Sequence, residues 1–224
     1  MKTVGTRWAV VAICGLLSTF ALSRSGDARG PEPSPGGVDR VGVVTIVAGS
    51  VVVDRPALPQ ATPRAGDAVF LRDTINTGDG ARIEMVLAEK IDIAIHERSK
   101  VTITEVPGRG VLVLHAGLLA MRIAENRMRP GEEIRVGTPN AIAVIRGDVR
   151  MTVETSPSGT AGGAVVTYVD VLAGTIDVIR YTVTPDATPV PYPAIRLGAH
   201  EGVTITGGTA GPIRPLRMVS PGPK

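Results

Sequence analysis

In the stretch KIDIAIHERSKVTITE, Lys90 to Glu105, apolar residues fall on every second position. Ile91, Ile93 and Ile95 share one face of an extended chain, and Val101 and Ile103 repeat the pattern after a polar interruption. On a helix the same residues would scatter around the axis, whereas on a strand they form one apolar stripe that must be buried against another layer. The rule repeats along the chain, in Val43–Val47, Val51–Asp54, Arg82–Leu87, Val111–Leu114, Leu118–Ile123, Glu133–Val136, Ala141–Ile145, Val149–Glu154, Val165–Leu172, Thr175–Ile179 and Val203–Thr206. Each run is rich in Val and Ile and bounded by Gly, Pro, Asp or Asn, and no amphipathic helix stands among them. The expected fold is all-β, stacked antiparallel hairpins forming a β-sandwich or short β-roll.

The turns carry their own patterns. Thr77, Gly78 and Gly80 in TGDGA supply glycines where a tight turn needs positive φ, so INTGDGARIEMVL reads as strand, turn, strand. An Ala-Gly pair separates apolar runs three times, at Gly49, Gly117 and Gly174, spaced by 68 and 57 residues. That is too uneven for a strict repeat array and suits stacked hairpins that pack as layers. Arg146-Gly147-Asp148 spells a tripeptide known for cell attachment, but it sits between two alternating runs, and Gly-Asp is a common turn pair. The turn reading is preferred; as an alternative, Arg146 clamps a carboxylate or carbonyl inside the corner.

The chain ends differ from its middle. Lys2 and Arg7 precede the apolar run Trp8 to Leu22, which reads as a secretory signal, residues 1–23. Its fifteen residues are short for a bilayer span of about 20, so removal is favoured over retention as an anchor. Residues 24–40 read as a flexible Pro/Gly-rich linker, 41–206 as the all-β domain and 207–224 as a disordered tail. The apolar run starts so early that a cytoplasmic domain ahead of it is not expected.

Removing residues 1–23 leaves 22 basic against 21 acidic residues, so charge says little about partners. It also removes Cys14, and with it any disulfide, and leaves Phe70, Tyr168, Tyr181 and Tyr192 as the aromatics. So few flat side chains speak against stacking on nucleic-acid bases or sugar rings.

Candidate chemistry is thin. His96-Glu97, His115 and His200-Glu201 have no metal-ligand spacing and read as solvated turn residues. Asp54, Asp67, Asp73, Asp79, Asp92 and Asp177 lie in turns or on polar strand faces, and no pair is singled out for general acid and base work. There is no G-x-S-x-G elbow, and TGDGA lacks the Lys-Ser/Thr of a phosphate loop. Arg122, Arg127, Arg129 and Arg135 are nearly balanced by Glu125, Glu132 and Glu133 and read as a mixed hairpin tip. No catalytic, cofactor-binding or metal residue is expected.

The ordered segments VTIVAGSVVV, RAGDAVFLRDTINTGDGARIEMVL, LHAGLLAMRI, IRVGTPNAIAVIRGDVRMTVE and VVTYVDVLAGTIDVI resemble the FecR-like periplasmic domain family, over about Val41 to Thr206. That family usually has Asp-Gly after the third strand, where this chain has Ala88-Glu89-Lys90, and Thr after Arg-Gly, where this chain has Asp148. The resemblance assigns Thr77, Gly78, Gly80, Thr138, Pro139, Arg146, Gly147 and Gly174 to structural turns rather than to a reacting centre. It implies an exported, non-enzymatic module, periplasmic or secreted, that binds or scaffolds a cell-envelope protein and takes part in signal transduction. A structural or glycan-binding envelope protein is the alternative. No nucleic acid is implied as partner, and membrane contact only through an uncleaved N-terminal segment.

Overall fold

The computed structural model describes residues 39–216 except 57, 107–108, 125, 158–163 and 184–188. The expected signal segment, nearly all of the linker and the last residues of the tail lie outside the described residues. The strands are β1 (Arg40–Ala48), β2 (Val51–Asp54), β3 (Ala68–Phe70), β4 (Thr74–Thr77), β5 (Arg82–Leu87), β6 (Ile91–Ile95), β7 (Lys100–Val106) and β8 (Arg109–Ile123). They continue with β9 (Glu133–Gly137), β10 (Ala141–Pro157), β11 (Val165–Val183), β12 (Pro189–Pro191), β13 (Ile195–Leu197), β14 (Glu201–Thr206), β15 (Thr209–Ala210) and β16 (Arg214–Pro215). The described residues contain no helix, and so none long and apolar enough to cross a membrane. The all-β expectation holds.

All strands join one large sheet that does not close on itself. Three long strands organise it, because each changes partners halfway along. Before Gly117, β8 pairs with β7 and β9; after it, β8 pairs with β6 and β10. Up to Ile145, β10 pairs with β9 and the second half of β11; from Val149 it pairs with β8 and the first half of β11. One arm of the sheet thus carries β1, β5, β6 and β14, and the other carries β2, β4, β7, β9 and β13. Alternate residues of both arms, such as Ile83, Met85 and Ile93 on one and Ile75, Leu114 and Val136 on the other, meet in a single hydrophobic core. At about 25 cal/mol per Å² of apolar surface, that shared core is what folds the sheet over.

The structure alters the expected picture in four places. The Ala-Gly pairs at Gly117 and Gly174 do not end hairpins; they are bends inside β8 and β11, where a strand passes from one arm to the other. Gly49 makes the same passage between β1 and β2, and all three glycines have positive φ. Likewise Arg146-Gly147-Asp148 does not separate two strands but forms an irregularity inside β10, where the register to β11 shifts between Ile145 and Val149. The stack is not wholly antiparallel, since β8 and β9 run parallel from Gly110 opposite Ile134 to Val113 opposite Gly137. Finally, residues past Thr206 are anchored: β15 and β16 both pair with β14.

Candidate functional site at the corners of the sheet

The β10 corner gathers a chain of five charges. Arg146 places Nη2 2.9 Å from Glu133 Oε2 on β9 and Nη1 2.6 Å from Asp177 Oδ2 on β11. Arg135 Nε lies 2.6 Å from the other oxygen of Glu133, and Arg196 Nε lies 2.9 Å from Asp177 Oδ1. The order is Arg135, Glu133, Arg146, Asp177, Arg196, so each acid sits between two guanidiniums. Val144, opposite Arg135 on one side and Asp177 on the other, is only 1% exposed yet stands outside the hydrophobic core. It lines the same outer hollow as Arg146, Asp177 and Arg196.

Both acids titrate low. The Asp177 carboxyl is held below its ordinary value by hydrogen bonding from Arg196 and then Arg146, against the opposing effect of burial. Burial is the largest influence on Glu133 and pushes it up, but Arg135 and Arg146 together outweigh it, and its carboxyl also lies low. The Arg146 guanidinium is thus engaged by two carboxylates, and Asp148 accepts a 3.3 Å hydrogen bond from the Asn126 amide. Gly147 is half-buried with open space where a Cβ would stand, and Gly174 passes so close to β10 that a Cβ would lie 2.1 Å from the Asp148 carbonyl oxygen.

A second polar centre sits where β10 begins. Thr138 is buried and Pro139 exposed, and Asn140 turns its side chain inward. Its Oδ1 accepts from Thr167 Oγ1 at 2.6 Å and Thr138 Oγ1 at 3.2 Å, and its Nδ2 donates to the Val165 and Ile205 carbonyls at 2.8 and 3.2 Å. Thr155 lies 3.3 Å from Thr167, and the Tyr181 hydroxyl donates to the Thr138 carbonyl. Sequence reasoning named Thr138 and Pro139 but missed Asn140, Thr155 and Thr167; a polar residue directly ahead of the apolar run at Ala141 was the available signal.

The TGDGA turn is the third corner, carrying the chain from β4 to β5. Thr77 Oγ1 donates to the His96 and Ser99 carbonyls, the Gly78 amide donates to Ser50 O at 2.9 Å, and the Gly80 amide reaches Glu97 Oε2 at 2.6 Å.

The other candidate residues are dispersed or already paired. Asp73, 1% exposed, takes a bidentate pair from Arg55 at 2.7 and 2.8 Å, and Arg55 also lies over the Phe70 ring. Asp54 accepts from Asn76, Asp67 from the Arg64 amide and Asp79 from Arg98. His96 is shifted below its ordinary value by burial and then Arg82, and His115 by burial and then Lys100; His115 Nε2 lies 3.0 Å from Thr102 Oγ1. Among the described residues, no three His, Cys, Asp or Glu come together as a metal-holding group. Arg129 and Lys90 both engage Glu132, the one through its amide at 2.9 Å, the other through its ammonium.

Polar and charged groups at these corners serve one another, which defines a structural β-module built to hold a shape. The FecR protein family model matches residues 73–177, which hold the TGDGA turn, Thr138, Asn140, Thr155 and Thr167 of the second centre, and the whole Arg146 corner except Arg196; over these residues the resemblance read from the motifs is borne out. Two crystal structures of a proposed anti-sigma factor from Parabacteroides distasonis ATCC 8503 are similar at 14% identity, with a TM-score of 0.48 over 64% of this chain and 59% of that one. The alignment thus spans less than two thirds of those chains. No curated protein matches this chain significantly.

Proposed function

We propose that this chain is an exported, non-enzymatic FecR-like module that binds or scaffolds a protein partner in the cell envelope as part of signal transduction. The FecR match over residues 73–177 carries this reading. The apolar run Trp8 to Leu22 behind two basic residues supports export. The geometry supplies a surface for a partner. On the outer face of the arm that holds β5 and β6, Ala94, Ala120 and Thr152 lie side by side across three strands and floor a shallow trough. Ile46, 48% exposed, stands at one side of it, and among the described residues the outermost strands of that arm, β3 and β15, have one strand neighbour each, which leaves an edge for an extended segment.

Site-specific photo-crosslinking in producing cells tests the reading. A crosslinker at Ile46 or Thr152 is expected to capture one defined envelope protein, while one at Asn76, on the other arm, is not. Absence of any adduct from both trough positions would overturn it. The glycan-binding alternative has less support, because Tyr192 is already stacked under the Arg180 guanidinium, 4.8 Å from its ring centre.

A further inference from the structure

Where the core meets solvent beside the start of β1, an apolar cleft of about 410 Å³ enters between the two arms of the sheet. Leu87 and Ile91 wall it on one arm, and Ile103, Leu112 and Ile134 on the other. These are core residues, 2 to 6% exposed, yet they still line an open space. Its rim is charged. Lys90 is paired with Glu132, but Arg40 has no carboxylate partner among the described residues; its Nε reaches only the Gly42 carbonyl, at 3.4 Å. Glu89 lines a neighbouring hollow with Arg40 without forming an ion pair with it.

An apolar slot of this size whose mouth holds one exposed cation with no carboxylate partner among the described residues has the layout of a ligand site, in which walls supply burial and one charge supplies orientation. We propose that the cleft takes the alkyl chain of a single-chain anionic amphiphile, a fatty-acid carboxylate, with Arg40 engaging the head group. A guanidinium matches a carboxylate in shape and can donate two parallel hydrogen bonds to it. The chain displaces only water that the apolar walls cannot hydrogen-bond, and each methylene buried there strengthens binding about fourfold. The inference does not depend on the protein partner proposed above, since the cleft and the trough have no residue in common.

Calorimetric titration of the full chain with dodecanoate, below its micelle concentration and at low salt, tests the proposal. Saturable one-to-one binding is expected, about sixteenfold weaker for decanoate, which lacks two methylenes, and about tenfold weaker in Arg40→Ala. Dodecanol should bind the wild-type chain about as weakly as dodecanoate binds Arg40→Ala. Gly110 lines the cleft without positive φ, and a Cβ there meets no atom within 4 Å, so Gly110→Phe should fill the space and abolish binding with the melting temperature unchanged. If that variant melts lower, Leu71→Trp, at a half-buried lining position, replaces it as the blocking variant. No saturable binding of dodecanoate, equal affinity for dodecanol, or undiminished affinity in a folded blocking variant would each overturn the assignment.

Discussion

Asn140 and Ile205 lie 65 residues apart, and the side-chain amide of the first donates to the carbonyl of the second across 3.2 Å. The same amide holds Val165, so one buried side chain joins the start of β10 to β11 and β14. Asn140→Ala would leave the two carbonyls and the Thr138 and Thr167 hydroxyls to find other partners in an enclosed space. A loss of about 3 kcal/mol is expected. Urea unfolding should show a lower midpoint at unchanged slope; a loss below about 1 kcal/mol would mean that water replaces the hub.

The bends make a sharper comparison. Gly174 has φ of 88°, and a Cβ there would stand 2.1 Å from the Asp148 carbonyl oxygen, a backbone atom held by β10. Gly80 also has positive φ, 62°, but a Cβ there meets nothing within 4 Å. Gly80→Ala should therefore cost only the left-handed conformation, about 1 kcal/mol. Gly174→Ala adds a collision that only movement of one strand can relieve, and more than about 3 kcal/mol, or failure to fold, is expected. Equal melting temperatures for the two variants would refute the crossing geometry.

These glycines also mark the limit of what was legible beforehand. Alternation identified β2, β5 and β6 with their bounds, since a half-buried strand needs only the local period. It could not show that Val111–Leu114 and Leu118–Ile123 are one strand, because a hairpin turn and a bend between arms make the same local demand for positive φ at Gly117. The parallel pairing of β8 with β9 leaves no local trace, and β12, β13, β15 and β16 are too short to show a period. At the corner, Arg146 could be suspected of clamping a carboxylate, but Asp177 is 31 residues away and becomes its partner only when β11 folds back along β10.

The turn after β5 departs from the Asp-Gly usual in FecR-like domains, and the backbone keeps the conformation such residues favour. Ala88 and Glu89 both have positive φ, 48° and 58°. A left-handed L-residue costs about 1–2 kcal/mol, partly offset by the greater freedom glycine has when unfolded. Glu89→Gly is expected to stabilise the chain by about 1 kcal/mol, seen as a rise in melting temperature. A fall would show that the Glu89 side chain contributes more than its backbone loses.

The Arg146 corner makes stability depend on pH with a defined sign. Folding lowers the Asp177 carboxyl, through Arg196 first and Arg146 after it, and lowers Glu133 through Arg135 and Arg146 despite burial. In the unfolded chain the same carboxyls titrate in the ordinary range, so on acidification the unfolded state takes up protons first. The stabilisation is therefore complete above that ordinary range and disappears as pH falls through the lower folded values. Arg146 is half-exposed, so Arg146→Ala should cost only about 1 kcal/mol near neutral pH, and less at high salt. As pH falls through those lowered folded values and the acids are neutralised, the gap to the wild type should shrink. Arg146 and Val144 line the same hollow, so Arg146→Ala also removes an aliphatic stem beside Val144, which Arg146→Met keeps without the cation. Arg146→Met should thus be the more stable variant at every pH while showing the same flattened acid dependence as Arg146→Ala. Denaturant midpoints that fall on acidification as steeply in Arg146→Met as in the wild type would show that Arg146 adds nothing to the lowering that Arg196 and Arg135 give these carboxylates.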